Sequence, residues 1–498
     1  MKNLKFPSAQ TVLLLIAAFV AILTWLIPSG QFDRLAYNKD ENTFVKTNKE
    51  NSITLEATQK TLDDLQIKIP LENFTSGAIY KPISIPNTYK KLAARPQGFK
   101  EFILAPLKGI IQVADIIILV LFIGGLVAIV NYTGAFEAGI SRLSKLLKGK
   151  EYTLIIIVTS LIAAGGSTFG LAEETIAFYP ILIPIFLAAK YDAIVALACI
   201  YIGSSIGTMA STINPFSTII ASNSAGINWT TGIYGRITML VIGLIICVLY
   251  IIRYAQRVKK DPTKSIIFSQ KEMIEKMFLF NNSSGNINFT FQLKMVLCIF
   301  ILCFIIMVYG VSNLDWWFLE MTGVFFVGAL LIGFICKINE TVFVETFIKG
   351  ANDLLSVAFI IGIARGVTIL MEDGLISDTL LYYSSSVTEG MNKGFFINSM
   401  LFVYSGLSFF IPSSSGMAVL TMPILSPLAD GVNIGRESVV NTYLFGMGLF
   451  NFINPTGLIL ASLAIVKVGY DKWLKFVMPL VIILAVVSMV FLTISVYI

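Results

Sequence analysis

The sequence predicts an all-α integral membrane protein with inverted repeats, two re-entrant hairpins and two broken helices. Hydrophobic residues make up 56% of the 498 residues and charged residues only 13%, whereas soluble domains carry about 25% charged residues. The apolar stretches Thr212–Ser222 and Phe452–Ser462 each contain Ile-Asn-Pro and end in Ala-Ser. Proline lacks the N–H that a helix interior needs, so each stretch is predicted to break its helix. Paired breaks in the two halves of a membrane chain are typical of a solute-binding site.

Seven apolar runs are long enough to cross a bilayer, whose hydrocarbon core is ~30 Å thick. They are 10–28, 115–132, 233–252, 293–311, 316–336, 354–371 and 474–497. Two further crossings, 192–222 and 437–466, contain the predicted breaks. The apolar regions 152–188 and 396–429 are interrupted by small polar residues, and we interpret them as re-entrant hairpins. The first run lacks the small-residue cleavage site of a signal peptide and is predicted to be a retained helix.

The distribution of charge predicts the orientation of these crossings. Lys or Arg occurs in four loops, 133–151, 253–292, 337–353 and 467–473. By contrast, the loop 223–232 has no charge, and the loop 372–393 is mainly acidic. Because Lys and Arg are concentrated in cytoplasmic loops, we predict nine full crossings, with the N-terminus in the cytoplasm and the C-terminus outside.

Two polar segments interrupt the apolar pattern. The insertion 29–102 follows the first transmembrane helix, 1–28, and is placed outside the cytoplasm. It has few apolar residues for a robust core, so we expect a small ordered cap or a flexible loop. The pattern of 98–113 predicts an interfacial amphipathic helix. The cytoplasmic linker 255–292, which is first basic and then rich in Ser, Asn and Gly, separates the two halves.

The two halves, 103–254 and 316–498, contain matching elements in the same order, and 293–311 is a connecting helix. GGSTFGLA in the first hairpin aligns with IPSSSGMA in the second, and Ile-Asn-Pro follows in each half. Four crossings per repeat and one connecting helix would turn the second repeat upside down. Inverted repeats allow one site to face each side of the membrane in turn.

Several classes of function are excluded or disfavoured. Histidine is absent, which removes His-based catalytic triads and the commonest zinc ligand. The cysteines lie inside apolar runs without ligand spacing, so disulfides and metal clusters are not expected. No G-x-x-x-x-G-K loop is present for a nucleotide-driven pump, and the net charge of +6 reflects topology rather than nucleic-acid binding. A hydrolase is disfavoured, and inverted repeats favour alternating access over a channel.

Hydroxyl and amide groups gather at the hairpin tips and the breaks. The candidate substrate-binding residues there are Ser167, Thr168, Asn214, Ser413, Ser414, Ser415, Asn454 and Thr456. A helix that restarts after a tip aims free N–H groups at negative charge, so this cluster could grip a carboxylate. Na⁺ could be coordinated near Thr212, Asn214 and Asn454. The alternative is that each hydroxyl only donates to a backbone carbonyl one turn back.

Charged residues at membrane depth are further candidates. Glu173 and Glu174 follow the first tip, and a carboxylate near the bilayer interior marks a functional site. One is expected to hold a substrate ammonium or guanidinium, a proton or Na⁺, and the other to pair with a cation. The alternative places both in a solvated vestibule. Arg365 lies mid-helix and needs a carboxylate from the substrate or the protein.

Four long blocks of sequence resemble one family of transporters. They are FPSAQTVLLLIAAFVAILTWLIPSGQFDR, GSTFGLAEETIAFYPILIP, IPSSSGMAVLTMPILSPLAD and YDKWLKFVMPL. These blocks are similar to the YfcC family, which belongs with DcuC-like carriers and ArcD-type basic amino acid antiporters in the ion transporter superfamily. The insertion and the linker look longer than is usual there, and neither is expected to touch the site.

This resemblance implies a scaffold domain and a mobile transport domain that contains both hairpins. Such proteins work by an elevator mechanism, commonly as homodimers, and the substrate would lie between the hairpin tips. The resemblance also implies a multi-pass protein of the bacterial inner membrane. Na⁺ or H⁺ is expected as a coupling ion, with no other cofactor.

The cargo can be weighed from the chemistry of the predicted site. An acidic pair combined with hydroxyls and helix ends suits a solute with both a positive charge and a carboxylate. This favours an amino acid, such as arginine exchanged for ornithine. A C4-dicarboxylate coupled to Na⁺ or H⁺ is the alternative, and it would need cations, for which Arg365 is the evident candidate.

Overall fold

The computed structural model describes residues 7–48, 51–146, 149–278, 290–314, 316–387 and 391–498. Within these ranges, seven helices are long and apolar enough to cross a membrane. They are Ala9–Leu26, Ala114–Tyr132, Ile233–Lys260, Phe291–Val311, Phe318–Ile335, Leu355–Asp373 and Tyr470–Ser495. Each coincides with one of the seven long apolar runs, so the prediction of a multi-pass helical membrane protein is confirmed. Part of the predicted linker, 279–289, lies outside the described residues.

The insertion after the first helix folds as a small α+β unit. Its elements follow α1 (Ala9–Leu26) and are β1 (Gly30–Gln31), β2 (Arg34–Asn38), β3 (Thr43–Thr47), β4 (Ser52–Glu56), α2 (Gln59–Asp64), α3 (Glu72–Thr75), β5 (Ile83–Ser84) and β6 (Lys90–Lys91). An antiparallel sheet runs in the order β4-β3-β2-β5, and β1 pairs with β6. Leu35, Phe44, Leu62, Phe74 and Ile83 fill its core, each at most 1% exposed.

The prediction of an all-α chain is therefore wrong for this segment. Its strands are only two to five residues long, too short to show alternation clearly among polar neighbours. The core is assembled from apolar residues that are far apart in the sequence, such as Leu35 and Phe74. Of the two expectations for 29–102, the small ordered cap describes it and the flexible loop does not.

The first half continues with eight α-helices. They are α4 (Phe99–Gln112), α5 (Ala114–Tyr132), α6 (Ala135–Leu146), α7 (Tyr152–Thr168), α8 (Tyr179–Ala188), α9 (Ala193–Met209), α10 (Ile220–Ser224) and α11 (Ile233–Lys260). A 3₁₀ turn, Glu173–Phe178, precedes α8, and a π turn, Pro215–Ile219, precedes α10. Helix α11 continues past the predicted end of the repeat at 254, and the last turn carries Arg257, Lys259 and Lys260, which suit the negative end of the helix dipole.

The second half follows a short helix, α12 (Lys271–Phe278), and the connecting helix α13 (Phe291–Asn313). Its helices are α14 (Phe318–Ile335), α15 (Glu340–Asp353), α16 (Leu355–Asp373), α17 (Ser377–Val387), α18 (Lys393–Phe410), α19 (Ser414–Gly431), α20 (Arg436–Asn451), α21 (Ile459–Val466) and α22 (Tyr470–Ser495). From α15 onward they repeat the order of elements that begins at α4.

Glycines allow the two halves to interlock. Helix α4 packs against α16, and α15 packs against α5 in the same way. A Cβ atom on Gly109 would lie 2.2 Å from the carbonyl oxygen of Gly362, and one on Gly350 would lie 2.2 Å from that of Gly124. The two crossings are thus equivalent, and each depends on small residues that let helix backbones touch, as is common between membrane helices.

The insertion is attached to the membrane helices at two places. Arg34 forms a salt bridge of 2.7 Å with Asp378 at the start of α17, and the backbone N–H of Gly30 donates to Leu375 O. At the far end of α19, Asp430 contacts Lys68 of the insertion at 2.9 Å and Arg436 at 2.8 Å. Hydrogen bonding by Arg436 lowers the pKa of Asp430 to about 2. The insertion is therefore attached to the second half at the start of α17 and at the end of α19.

Substitution of Gly350 by alanine tests the interlocking of the two halves. In Gly350→Ala the new methyl group would lie 2.2 Å from Gly124 O and 2.4 Å from the Cβ of Ala128, so α15 and α5 must separate. We expect a loss of about 1–3 kcal/mol of stability and a lower Tm in detergent. The control is Gly323→Ala in α14, where nothing lies within 4 Å, and its Tm should stay equal or rise. Equal Tm values for both variants would contradict the close contact.

Candidate functional site

Each Ile-Asn-Pro motif lies in a break between two helices, and the asparagine stabilises the break. Helix α9 ends at Met209, and the backbone at Asn214 is extended. Its Oδ1 accepts a hydrogen bond of 2.8 Å from the backbone N–H of Phe216. In the second half, Oδ1 of Asn454 accepts a bond of 3.0 Å from the N–H of Thr456. In both halves the side chain therefore caps the turn that begins at the proline.

The same asparagines connect each break to an earlier helix of the same half. Asn214 Nδ2 donates to the carbonyl oxygen of Gly166 near the end of α7, and Asn454 Nδ2 donates to that of Ser408 near the end of α18, both at 3.3 Å. These carbonyls belong to the last turns of their helices, where no partner remains within the helix. In each break, the side-chain amide of one asparagine therefore bonds to backbone groups of two different elements.

The chain between α7 and the following 3₁₀ turn, residues 169–172, forms what we call the first tip. Residues 411–413, between α18 and α19, form the second tip. Gly170 in the first tip has φ +77°, a conformation that favours glycine. In the second tip, Ser413 caps α19 by accepting a hydrogen bond of 3.2 Å from the N–H of Gly416.

The start of α19, directly after the second tip, contacts the break of the first half. Ser414 Oγ donates to the carbonyl oxygen of Phe216 at 3.1 Å, and Tyr443 of α20 donates to that of Ser414 at 2.7 Å. Ser414 therefore joins elements that are far apart in the sequence, which brings the tips and the breaks into one region.

A cavity of about 460 Å³ lies in this region. The predicted site residues that line it are Glu173, Glu174, Asn214, Ser413, Ser414, Ser415 and Thr456. Residues of α9, α16 and the turn before α14 complete its wall, among them Ser205, Thr208, Arg365, Trp316 and Trp317. Ser205 and Thr208 are three residues apart and therefore lie on one face of α9, just before the break. This spacing is the feature of the sequence that could have predicted them as site residues.

Three predicted site residues, Ser167, Thr168 and Asn454, are not among those that line the cavity. Ser167 is buried, and its Oγ accepts a hydrogen bond of 3.1 Å from the N–H of Thr212. Thr168 donates to the carbonyl oxygen of Ala164 at 2.7 Å, which is the alternative of bonding one turn back. The side-chain amide of Asn454 is hydrogen-bonded to Ser408 and Thr456, as described above. The polar groups of these three side chains bond to other groups of the protein.

Both adjacent carboxylates line the cavity. Glu174 Oε2 accepts a hydrogen bond of 3.1 Å from the N–H of Ala172, which fixes its position at the first tip. Among the described residues, neither Glu173 nor Glu174 has a Lys or Arg partner within 4.0 Å. The expectation that one of them pairs with a cation stays a prediction. Both face a space that a positively charged group could enter.

The two cations of the cavity are placed differently. Arg365 donates to Oε1 of Gln112 at 2.9 Å and forms a salt bridge of 3.1 Å with Glu372, so its partner is a protein carboxylate. Lys81 extends from the insertion, and its Nζ donates to Oγ of Ser415 at 2.6 Å. The expectation that the insertion does not touch the site is wrong. Nothing local in the sequence distinguishes Lys81 from other lysines of this polar segment.

The oxygen atoms near the breaks are the available ligands for a coupling cation. In the described part of the chain, no three His, Cys, Asp or Glu side chains gather as in a metal site. Na⁺ would instead depend on hydroxyl, amide and carbonyl oxygens. Thr212 Oγ1 lies 3.1 Å from Ser167 Oγ, and the amide oxygen of Asn214 keeps one lone pair beyond its bond to Phe216.

Substitution of Gly170 by alanine tests the link between the first tip and the break. A Cβ on Gly170 would lie 3.0 Å from both terminal atoms of the Asn214 amide. Gly134 has nearly the same φ, +75°, but nothing lies within 4 Å of its Cβ position. Gly170→Ala and Gly134→Ala should therefore cost a similar ~1 kcal/mol for the backbone. Only Gly170→Ala should displace Asn214 and reduce solute exchange in proteoliposomes, and an equal effect of both variants would contradict the link.

Comparison with known proteins identifies the family. The sequence matches the DcuC family, described as C4-dicarboxylate anaerobic carrier, over residues 6–497. An "Uncharacterized protein" of Haemophilus influenzae is 41% identical over 497 residues, which cover 99% of this chain and 98% of that protein. The Escherichia coli "Putative basic amino acid antiporter YfcC" is 28% identical over 492 residues, which cover 94% of this chain and 92% of that protein.

Two solved transporter structures show a weaker similarity. The YdaH transporter of Alcanivorax borkumensis has a TM-score of 0.40 at 12% identity, with 98% of each chain covered. MtrF of Neisseria gonorrhoeae has a TM-score of 0.40 at 13% identity, with 100% of this chain and 96% of MtrF covered. The family match extends over nearly the whole sequence, and the chain therefore belongs to the DcuC family of secondary transporters and is not an enzyme.

Proposed function

We propose that the protein is an elevator-type secondary active transporter of a small charged organic solute, with an amino acid, preferably a basic one, as the favoured cargo. The observation that carries this proposal is the cavity bounded by both tips and both breaks, which contains Glu173 and Glu174 without a cation partner among the described residues. Both carboxylates are half-buried, where a positive partner or a bound proton stabilises them, and a transported solute would supply the positive partner.

The equivalence of the two halves supports alternating access. The bonds from Asn214 to Gly166 and from Asn454 to Ser408 have the same length and the same role, as expected for inverted repeats. Helices α4, α5, α15 and α16, joined by glycine contacts, would form the scaffold. The tips and the broken helices would form the transport domain, with both hairpins re-entrant. The cavity lies where these two groups meet, because Ile116 of α5 and Arg365 of α16 also line it.

The distribution of charge supports an amino acid. At the first tip, Glu173 and Glu174 offer acceptors for an ammonium or a guanidinium. At the second tip, the start of α19 and Ser413, Ser414 and Ser415 offer donors to a carboxylate. A guanidinium binds two carboxylate oxygens side by side, so arginine exchanged for ornithine fits this arrangement. The name of the relative from E. coli agrees with this choice.

A C4-dicarboxylate is the second candidate, and the description of the family favours it. Two carboxylates would need two cations in the cavity. Arg365 and Lys81 both line it, but Arg365 already neutralises Glu372, and the acidic pair at the first tip would repel a dianion.

The coupling ion would be H⁺ carried by the acidic pair or Na⁺ held near Thr212, Asn214 and Asn454.

Counterflow in proteoliposomes tests the proposed function. Vesicles in the inner-membrane lipid mixture, loaded with ornithine, should accumulate labelled arginine, which a channel cannot do. Exchange of succinate without exchange of arginine would reject the basic amino acid and favour the dicarboxylate. Absence of exchange for every carboxylate-bearing solute tested would reject transport at this cavity.

The acidic pair can be tested in the same vesicles. Glu173→Gln and Glu174→Gln each remove a charge-assisted hydrogen bond, which is worth about 1.5–3 kcal/mol. We therefore expect arginine exchange to fall by roughly tenfold or more in at least one of them. Glu72→Gln, on the exposed surface of the insertion, is the matched control and should exchange at the rate of the wild type. Full activity in both cavity variants would remove the carboxylates from the mechanism.

A further inference from the structure

We propose that Lys81, which the extracytoplasmic insertion delivers into the cavity, binds a carboxylate group of the transported solute at the second tip. This inference rests on the proposed function and adds a binding residue from outside the repeats. It assigns the insertion a part in solute recognition.

The first support is that the position of Lys81 is fixed by the fold of the insertion. Ile79 and Ile83 on either side are buried, at 4% and 0% exposure, and Ile83 belongs to β5 of the sheet. Pro82 follows directly, and the residue before a proline is restricted to extended backbone. Arg34 and Lys68 hold the insertion to the second half through Asp378 and Asp430. Lys81 therefore reaches the cavity from a rigid base.

The second support is that the ammonium group has donors left over. Its Nζ donates to Ser415 Oγ at 2.6 Å, and an ammonium carries three N–H donors. No carboxylate of the described residues lies within 4.0 Å of Nζ. The ring of Tyr80 lies 5.7 Å away and supports the cation without hydrogen bonds. An acceptor from the solute would complete this coordination.

The third support is electrostatic. Burial, and then the positive charge of Arg365, lower the pKa of Lys81 below its ordinary value, which means that its surroundings disfavour the charge. A carboxylate bound between Lys81 and Arg365 would offset both effects. Ser415 lies in the first turn of α19, so backbone N–H groups of that turn would face the oxygen atoms of the same carboxylate. Lysine, hydroxyl and helix end would together form a carboxylate subsite opposite the acidic pair.

Two solutes that differ only in the carboxylate test this assignment. Wild type, Lys81→Gln and Lys81→Arg are compared in proteoliposomes for arginine and for agmatine, which lacks the carboxylate, or for succinate and its monomethyl ester. We expect Lys81→Gln to raise the KM for arginine by about 10- to 100-fold, the effect of one hydrogen bond between charged groups, and to leave agmatine nearly unchanged. Lys81→Arg should retain most of the preference for the carboxylate.

Each outcome has a distinct meaning. Lys60→Gln, on the exposed face of α2, is the matched control and should behave as the wild type, with folding of all variants checked by Tm. If Lys81→Gln reduces the exchange of both solutes equally, Lys81 only stabilises the second tip through its bond to Ser415, and the assignment is wrong. If the wild type exchanges a carboxylate solute and Lys81→Gln keeps the same preference, the assignment alone is rejected. If the wild type exchanges neither arginine nor succinate, the proposed function falls, and this assignment with it.

Discussion

The two breaks depend on one side chain each, the asparagine before the proline. In the interior of a bilayer no water is available to satisfy free backbone groups, so a helix can stop there only where the protein supplies partners. Asn214 and Asn454 accept from the turn that follows and donate to an earlier helix of the same half, α7 or α18. Proline prevents the helix from continuing, and the asparagine before it connects the resulting turn to α7 or α18 by a hydrogen bond. The position of the cavity follows from these bonds, because they bring each tip against its break.

The glycine contacts impose a second constraint, on the other group of helices. Gly109 and Gly350 bring α4 onto α16 and α15 onto α5 at backbone distance. Without Cβ atoms, these helices gain dispersion contacts along their length, which are a main source of attraction between helices in lipid. Such tightly joined helices would move little. In an elevator, motion would then be confined to the elements around the tips.

Long apolar runs were predictable from the sequence, because hydropathy reports on the surrounding lipid and needs no knowledge of the fold. The Ile-Asn-Pro breaks were predictable for a similar reason, since the lack of an N–H is a property of proline itself. The strands of the insertion were not, because their core combines residues as distant as Leu35 and Ile83. Lys81 was missed because its meaning depends on Ser415, which lies in the other half of the chain. Ser167 and Thr168 are close in sequence to residues that line the cavity, but their hydroxyls bond to Thr212 and to Ala164 instead.

The two halves position the tips in equivalent ways, but the side chains that line the cavity differ between the two tips. Equivalent bonds position the two tips, yet the first carries Glu173 and Glu174, and the second carries serines with a lysine from the insertion. The lysine that is hydrogen-bonded beside the second tip, Lys81, comes from a segment that has no counterpart in the other half. A solute with one positive and one negative end would be held in a single orientation by such a cavity. A symmetric dianion would meet attraction at one end and repulsion at the other, and for this reason the insertion bears on the choice of cargo.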